Sequence, residues 1–186
     1  MGSALSGAGV RSQLQAAFGW YSKSDDGPDY AEVTQWWRRG ELLAALGPAL
    51  AELFVDDRPT VVLGVQSRGC LLGPLTATAL GVGFIEVRKW YGTRAAADGW
   101  LTCTTPPDYK DRHLILGIRG GLLQPADRAL LVDDWIATGG QAQGVQRLVE
   151  ASPASWTGVA VIVDALADNR TRRDLNVRRI LHLRDL

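Results

Sequence analysis

The chain has few of the side chains from which metal centres are built. Its 186 residues include two cysteines, Cys70 and Cys103, and two histidines, His113 and His182. The cysteines form no CxxC pair, and so few partners make a structural zinc site improbable. Two free thiols are typical of a reducing compartment, so we expect a cytoplasmic protein. Because Cys70 lies in an apolar helical stretch, we expect it to be a small core residue.

The sequence also lacks an excess of charge of either sign. The charges of twenty basic and twenty acidic residues cancel, so we expect the protein to bind neither nucleic acid nor an anionic membrane surface. No apolar run reaches the roughly 18 residues of a transmembrane helix. Residues 1–10 lack the basic start and apolar core of a secretory signal, and we interpret them as a loose start. Zero net charge still allows a local phosphate site, which needs only backbone N–H groups and a few side chains.

Short apolar runs alternate with helical periodicity after a poorly periodic stretch at 1–30. Strands are predicted at 61–65, 84–87, 114–118, 129–132, 159–163 and 180–183, and helices at 31–54 (bent or split at Gly47-Pro48), 69–80 and 140–150. The alternation predicts a single α/β domain with a parallel sheet flanked by helices on both faces. Ligands of such sheets bind beyond the carboxyl ends of the strands. Residues 89–112 break the rhythm, which is typical of a flexible lid loop.

The segment 129–141 carries the most specific motif of the chain. An apolar strand runs into Asp133 and Asp134, and a turn of small residues then leads into a helix. Glycines allow the backbone to approach a ligand closely, and the new helix offers free N–H groups to a phosphate. The two carboxylates suit sugar hydroxyls or a magnesium shell beside that phosphate. An N-capped helix after a strand, with a solvated Asp134, is the alternative interpretation of these residues alone.

The full string 129–141 resembles the 5-phosphoribosyl-1-pyrophosphate (PRPP) motif of type I phosphoribosyltransferases. The resemblance implies that Asp133 and Asp134 hold the ribose hydroxyls and belong to the catalytic residues. It also implies that the 5-phosphate is bound by Ala137, Thr138, Gly139, Gly140 and Gln141. Two positions depart from the family pattern. Trp135 replaces a small aliphatic residue, and Gln141 replaces a threonine or serine.

A second strand-to-helix turn, at 64–74, has the composition of another anion site. Ser67, Arg68 and the N–H groups around Gly69 lie where the helix begins, and an arginine can hold a diphosphate through two parallel bonds. A surface arginine near a helix start is the alternative. Residues 61–92 resemble adenine phosphoribosyltransferases, and this implies that pyrophosphate is bound by Ser67, Arg68, Gly69, Arg88 and Lys89. It also implies a cis peptide bond at Gln66–Ser67, although Gln66 replaces an acidic residue of the family.

The resemblance covers about residues 58–165, the expected PRPP-binding core, and residues 1–55 would form an amino-terminal helical hood. It implies a homodimeric enzyme of purine salvage. That enzyme would transfer the 5-phosphoribosyl group from PRPP to a nucleobase, an adenine-like purine, and release pyrophosphate. Mg²⁺ is the implied cofactor, bound through PRPP and, through water, by Asp133 and Asp134. Two alternatives stay open: a module that senses PRPP or a nucleotide without catalysis, and a transferase of specialised metabolism with a non-purine acceptor.

The lid and the hood are the least defined parts of this prediction. The family carries a Glu-Tyr element in the lid, whereas 89–112 contain no glutamate. Tyr109 is the nearest equivalent and the predicted catalytic lid residue, with Tyr91 as a competitor and a solvent-facing loop residue as the alternative. The hood is rich in aromatic residues, which are interpreted as core or dimer contacts or as a platform for the base: Phe18, Trp20, Tyr21, Trp36 and Trp37.

Overall fold

The computed structural model describes residues 5, 7–22, 30–90, 99–105 and 114–186. The helices are α1 (Gly7–Ala16), α2 (Thr34–Arg38), α3 (Gly40–Glu52), α4 (Gly69–Leu80), α5 (Gly140–Glu150) and α6 (Asn169–Asp174). The strands are β1 (Gly19–Tyr21), β2 (Tyr30–Glu32), β3 (Val61–Val65), β4 (Gly83–Trp90), β5 (Trp100–Thr104), β6 (Ile115–Arg119), β7 (Arg128–Ile136), β8 (Ser155–Asp164) and β9 (Val177–His182). No helix of these described ranges is long and apolar enough to cross a membrane.

Seven strands form one sheet in the order β5-β6-β4-β3-β7-β8-β9, and β1 and β2 form a separate hairpin. The five strands from β4 to β9 in this order pair in parallel, which confirms the α/β class with a mostly parallel sheet. One edge of the sheet is antiparallel, because β6 pairs antiparallel with both β4 and β5. Only residues 105–114 join β5 to β6, fewer than the dozen or so that a parallel crossover needs.

The two faces of the sheet are buried under different helices. Alternate side chains of each strand point to opposite faces. Leu63 and Leu131 therefore pack with Val145 of α5 on one face, whereas Val62 and Leu130 pack with the α3–α4 layer on the other. Burial on both faces explains why the central strands read as continuous apolar runs.

The amino-terminal third departs most from the sequence prediction. The helix predicted at 31–54 is wrong as one element, because residues 30–32 form β2 and the chain breaks at Arg39, which is extended (φ −87°, ψ 105°). Pro48 lies inside α3 without splitting it. Gly47 allows α3 to pack closely on α4, since a Cβ there would lie 2.5 Å from the carbonyl oxygen of Leu75 in α4.

Two further expectations are corrected by the structure. The loose start is wrong from Gly7 onward, because α1 begins there and buries Val10 and Leu14. These two side chains were too few to give a periodic signal. The structureless stretch at 89–112 is wrong for residues 89–90, which end β4, and for 100–104, which form β5. Residues 91–98 and 106–112 of the predicted lid lie outside the described residues.

Candidate phosphate-binding site

Two strand-to-helix turns meet because their strands are neighbours in the sheet. β3 pairs in parallel with β7, and Gly64 lies opposite Val132. Both strands therefore end at the same edge, where one leads into α4 and the other into α5. A helix start presents N–H groups without intrahelical partners and the positive end of the helix dipole. The fold thus places two helix starts that suit anions beside each other, although their first residues, Gly69 and Gly140, are 71 positions apart in sequence.

The turn before α5 has the backbone that a phosphate cradle needs. Gly139 adopts a left-handed conformation (φ 79°) at the N-cap of α5. A Cβ at Gly139 would also lie 2.9 Å from the Thr171 methyl carbon, so both conformation and space favour glycine. Thr138 and Ala137 are exposed at the mouth of the turn, and the Thr138 Oγ1 accepts a long bond from the Gly140 N–H at 3.4 Å.

The turn before α4 contains the predicted cis peptide bond. The Gln66–Ser67 bond is cis, so this prediction is confirmed. Ser67 and Arg68 are exposed at the cavity, whereas Gly69 is buried beneath them at the first position of α4. Cys70 follows as a half-buried residue with its Sγ 3.5 Å from the Gly64 carbonyl oxygen. It therefore supports the turn and is not the core residue that its apolar neighbours indicated.

The carboxylate pair lies between the two turns, at the end of β7. Asp134 is 4% exposed, and its Oδ2 lies 2.9 Å from Nη1 of Arg68. That contact is an ion pair without hydrogen-bond geometry, so Oδ2 is a buried acceptor with no hydrogen-bond donor among the described residues. Such an atom is costly to leave unpaired and is set to accept a hydrogen bond from a ligand.

Asp133 at the end of β7 and Lys89 at the end of β4 both have shifted pKa values. Burial raises the pKa of Asp133, and the negative charge of Asp134 raises it further, to about 8. Burial lowers the pKa of Lys89, and the positive charge of Arg68 adds to this, whereas Asp133 opposes it. Ionisable groups shifted by burial and by one another are typical of functional sites.

A single cavity of about 600 Å³ unites most of the predicted site residues. Its lining contains ten of the predicted site residues: Ser67, Arg68, Lys89, Asp133, Asp134, Ala137, Thr138, Gly139, Gly140 and Gln141. Gly69 and Arg88 are not part of the lining. Tyr109 and Tyr91 lie outside the described residues, so their predicted places are not seen.

Arg88 is turned away from the cavity although Lys89, the next residue, faces it. Successive residues of β4 point to opposite faces. The Nε of Arg88 donates to Glu86 at 2.9 Å, and its guanidinium lies over the Trp100 ring, 5.3 Å from the centroid. The structure therefore does not bring Arg88 together with the other residues assigned to the pyrophosphate.

An aromatic wall borders the cavity on the hood side. Trp135 lines the cavity and stacks on Phe18 with ring centroids 6.3 Å apart at an interplanar angle of 22°. Trp20 meets both rings edge-on, at 5.1 Å from Phe18 and 6.5 Å from Trp135. Trp135, which is out of place in the family motif, thus anchors the hood to the sheet.

The sequence prediction missed Tyr30 and Ala31, which also line the cavity. They lie on β2, paired with β1 in the register Tyr21↔Tyr30. This hairpin is three residues long on each side, too short for a periodic pattern. No signal in the sequence assigns these residues to the site. Trp20 was named among the aromatic residues, and only the fold distinguishes it from Trp36, which is fully buried and donates to the Leu14 carbonyl.

The sheet order, the paired anion-binding turns and the acid pair define the class: this is the architecture of a type I phosphoribosyltransferase. No protein-family model matches the chain. Adenine phosphoribosyltransferase from Desulfitobacterium hafniense is 30% identical over 141 residues, which span 74% of this chain and 77% of that protein.

Solved structures agree with this similarity. Adenine phosphoribosyltransferase from Rhodothermus marinus superposes with a TM-score of 0.78 at 29% identity, over 95% of this chain and 99% of the other. The enzyme from Trypanosoma brucei, in complex with AMP, pyrophosphate and ribose-5-phosphate, gives a TM-score of 0.72 at 28% identity, over 95% and 81%. The chain belongs to the adenine phosphoribosyltransferase family.

Proposed function

We propose that this protein transfers the 5-phosphoribosyl group of PRPP to a ring nitrogen of adenine or a closely similar purine, and releases pyrophosphate. Family membership supports the reaction, and AMP and pyrophosphate, two of the molecules named for the Trypanosoma brucei complex, are the products that transfer to adenine would give. The observation that carries the proposal is the buried Oδ2 of Asp134, which lies between two helix starts, pairs in charge with Arg68 and accepts no hydrogen bond from the described residues. A phosphorylated sugar supplies the hydroxyl donor for this atom and an anion for each helix.

The turn at 137–141 is the proposed site of the 5-phosphate. Its backbone N–H groups and the Thr138 hydroxyl donate to phosphate oxygens at the start of α5. Gln141 lines the cavity, and its side-chain amide offers donors in place of the hydroxyl that is usual in the family. Asp133 and Asp134 accept from the ribose hydroxyls, and this fixes the sugar relative to both turns.

The opposite turn is the proposed site of the diphosphate. Ser67 and Arg68, which immediately precede α4, line the cavity together with Lys89. When the bond from the anomeric carbon to the diphosphate oxygen breaks, its electron pair leaves with the diphosphate, and these cationic groups stabilise the growing negative charge. The purine ring nitrogen donates its lone pair to the anomeric carbon, and the proton of that nitrogen is released to solvent. The positive character of the sugar in between resembles that of other glycosyl transfers.

Mg²⁺ is the proposed cofactor, and the donor set fits it. Magnesium binds carboxylates together with substrate phosphates and water, and the cavity has a carboxylate pair next to the proposed diphosphate site. The described residues contain no cluster of three or more metal-ligating side chains, so a metal held mainly by substrate oxygens suits them better than a protein cage. Asp133 and Asp134 would hold it through water, and the ion would neutralise diphosphate charge.

The aromatic wall is the proposed binding surface for the acceptor. A planar purine stacks on exposed aromatic faces, and Trp135, Trp20 and Tyr30 line the cavity next to the acid pair. Catalysis by Tyr109 in a closing lid, pyrophosphate contact by Arg88, a homodimer and a cytoplasmic location stay predictions from the family resemblance.

The proposal is tested by turnover of PRPP with a panel of purines and pyrimidines. Pyrophosphate release is expected with adenine, or with the purine that resembles it most. Tight PRPP binding without release of pyrophosphate for any base would instead indicate a sensing module.

Asp134→Asn tests the role of the acid pair in the same assay. It should lower kcat/KM about 100-fold, because it removes the charged acceptor of the ribose hydroxyl while the fold stays intact. Asp56→Asn is the matched control, since Asp56 is exposed on a turn outside the cavity. Equal activity of the Asp134 variant and the wild type would contradict the ribose assignment.

A further inference from the structure

Gln66 uses both ends of its side-chain amide on the neighbouring strand β4. Its Nε2 donates to Oε1 of Glu86 at 2.7 Å, and its Oε1 accepts from the backbone N–H of Lys89 at 3.1 Å. The chemistry determines this orientation of the amide. The reverse orientation would place an oxygen against the Glu86 carboxylate and an NH₂ group against an N–H donor.

The hydrogen bond from the Lys89 N–H to Gln66 takes the place of a backbone ladder bond, because β3 has already ended at Val65. The backbone N–H of Gln66 still donates to the Val87 carbonyl at 3.1 Å, which continues the parallel ladder beyond β3. The chain then turns at the cis Gln66–Ser67 bond, and the side-chain carbonyl of Gln66 pairs with the next free donor of β4. The side chain thus joins the turn at 66–68 to the end of β4, from which Lys89 faces the cavity.

Glu86 explains why an amide occupies this position, where the family has an acidic residue. A carboxylate at 66 would accept from the Lys89 N–H, but its second oxygen would lie next to Glu86 at hydrogen-bond distance. Two negative charges that close repel strongly where water is partly excluded. The other oxygen of Glu86 is bonded to Nε of Arg88. Glu86 therefore also holds the Arg88 guanidinium on the face of β4 that points away from the cavity.

We infer that Gln66 is a positioning residue for the diphosphate end of the substrate, which acts through Lys89, and that Gln66 and Glu86 form a matched pair in which only one member carries a negative charge. The inference rests on the proposed function of this cavity. It predicts that the protein tolerates a negative charge moved from residue 86 to residue 66, but not negative charges at both positions. In Gln66→Glu/Glu86→Gln every hydrogen bond of the network keeps a donor and an acceptor.

A double-mutant cycle of Gln66→Glu, Glu86→Gln and the double variant tests the inference, with KM for PRPP, KM for the purine and the calorimetric Kd for PRPP as readouts. Gln66→Glu should weaken PRPP binding about tenfold, and the double variant should return to within about twofold of the wild type, which is a coupling typical of contacting residues. KM for the purine should stay unchanged in all variants. Gln35→Glu, an exposed residue of α2, is the matched control for the added charge.

The inference is overturned if the two substitutions are additive, or if PRPP and purine KM change together. Failure of Gln66→Glu to fold would not block the test, because a folded, active double variant then supports the pair and a misfolded one refutes it. A wild type that binds PRPP without turnover defeats the proposed function alone, since the cycle in Kd still decides the matched pair.

Discussion

Gly64 provides the sharpest test of how the fold builds the cavity. It is the fourth residue of β3, and a Cβ there would lie 2.2 Å from the carbonyl oxygen of Gly69 and 2.7 Å from its carbonyl carbon. Cβ atoms in proteins essentially never approach other heavy atoms closer than 3.0 Å. Gly64→Ala must therefore move the first turn of α4 by at least about 0.8 Å, the difference between these distances. The clash is with backbone, so no side-chain rotation relieves it.

The displacement should affect function more than folding. Overpacking of this kind costs about 1–3 kcal/mol of stability, which a folded domain can tolerate. A shift of about 1 Å in groups that position substrate can lower the rate about 100-fold, and Ser67 and Arg68 would move with the start of α4. We therefore expect kcat/KM for PRPP to fall by about two orders of magnitude in Gly64→Ala.

Steady-state kinetics and urea unfolding on the same preparations check this expectation. Gly83→Ala is the matched control, because Gly83 begins the neighbouring strand β4 and a Cβ there meets nothing within 4 Å. The reasoning is refuted if Gly64→Ala folds and keeps kcat/KM within twofold of the wild type. It is equally refuted if both glycine variants lose activity to the same extent.

Three further predictions follow from packing and charge. Trp135→Leu should raise KM for the purine about two- to tenfold with little change in KM for PRPP, since stacking on one aromatic is worth about 0.5–1.5 kcal/mol. Equal changes in both KM values would contradict the aromatic acceptor site. Asp133 keeps its proton in the folded state up to about pH 8 but loses it near 3.8 when unfolded, so its contribution to stability should be complete below pH 3.8 and be lost as pH rises through 8. Urea titrations across pH compared with Asp133→Asn, which lacks this group, test that sign. Arg172→Met should destabilise the fold by about 3 kcal/mol because it removes a partner of the fully buried Asp164, whereas the exposed Arg173→Met should be neutral in the same thermal unfolding assay.

Local features of the site could be predicted because short-range geometry determines them. Gly139 and Gly140 after an apolar strand predict a turn into a helix, and α5 begins where that pattern indicates. The same holds for Gly69 and α4. In both cases, the residues that permit the turn are consecutive in sequence, so no knowledge of distant contacts is needed.

The ends of strands and the hood could not be predicted in this way. β7 continues through both carboxylates to Ile136, because its pairing with β8 extends the ladder past the last apolar residue of the run. The amino-terminal elements α1, β1 and β2 are short and weakly periodic, and contacts with distant segments support them. α1 packs on α3, and Phe18 and Trp20 pack on Trp135. Trp135 departs from the family motif, and its stacking on Phe18, a contact between distant segments, explains the large side chain at this position.

Two strand-to-helix turns and a carboxylate pair can be predicted from sequence, since each depends on the residue types of one short segment. That they share one cavity is a property of the folded sheet, because β3 and β7 are neighbours in the sheet but not in the chain. The fold also determines which side chains face that cavity. Arg88 and Lys89 are adjacent in sequence and both basic, yet only Lys89 lines the cavity. The alternation of side chains along β4 places Arg88 on the other face, where it bonds Glu86, whereas Gln66 bonds the backbone of Lys89.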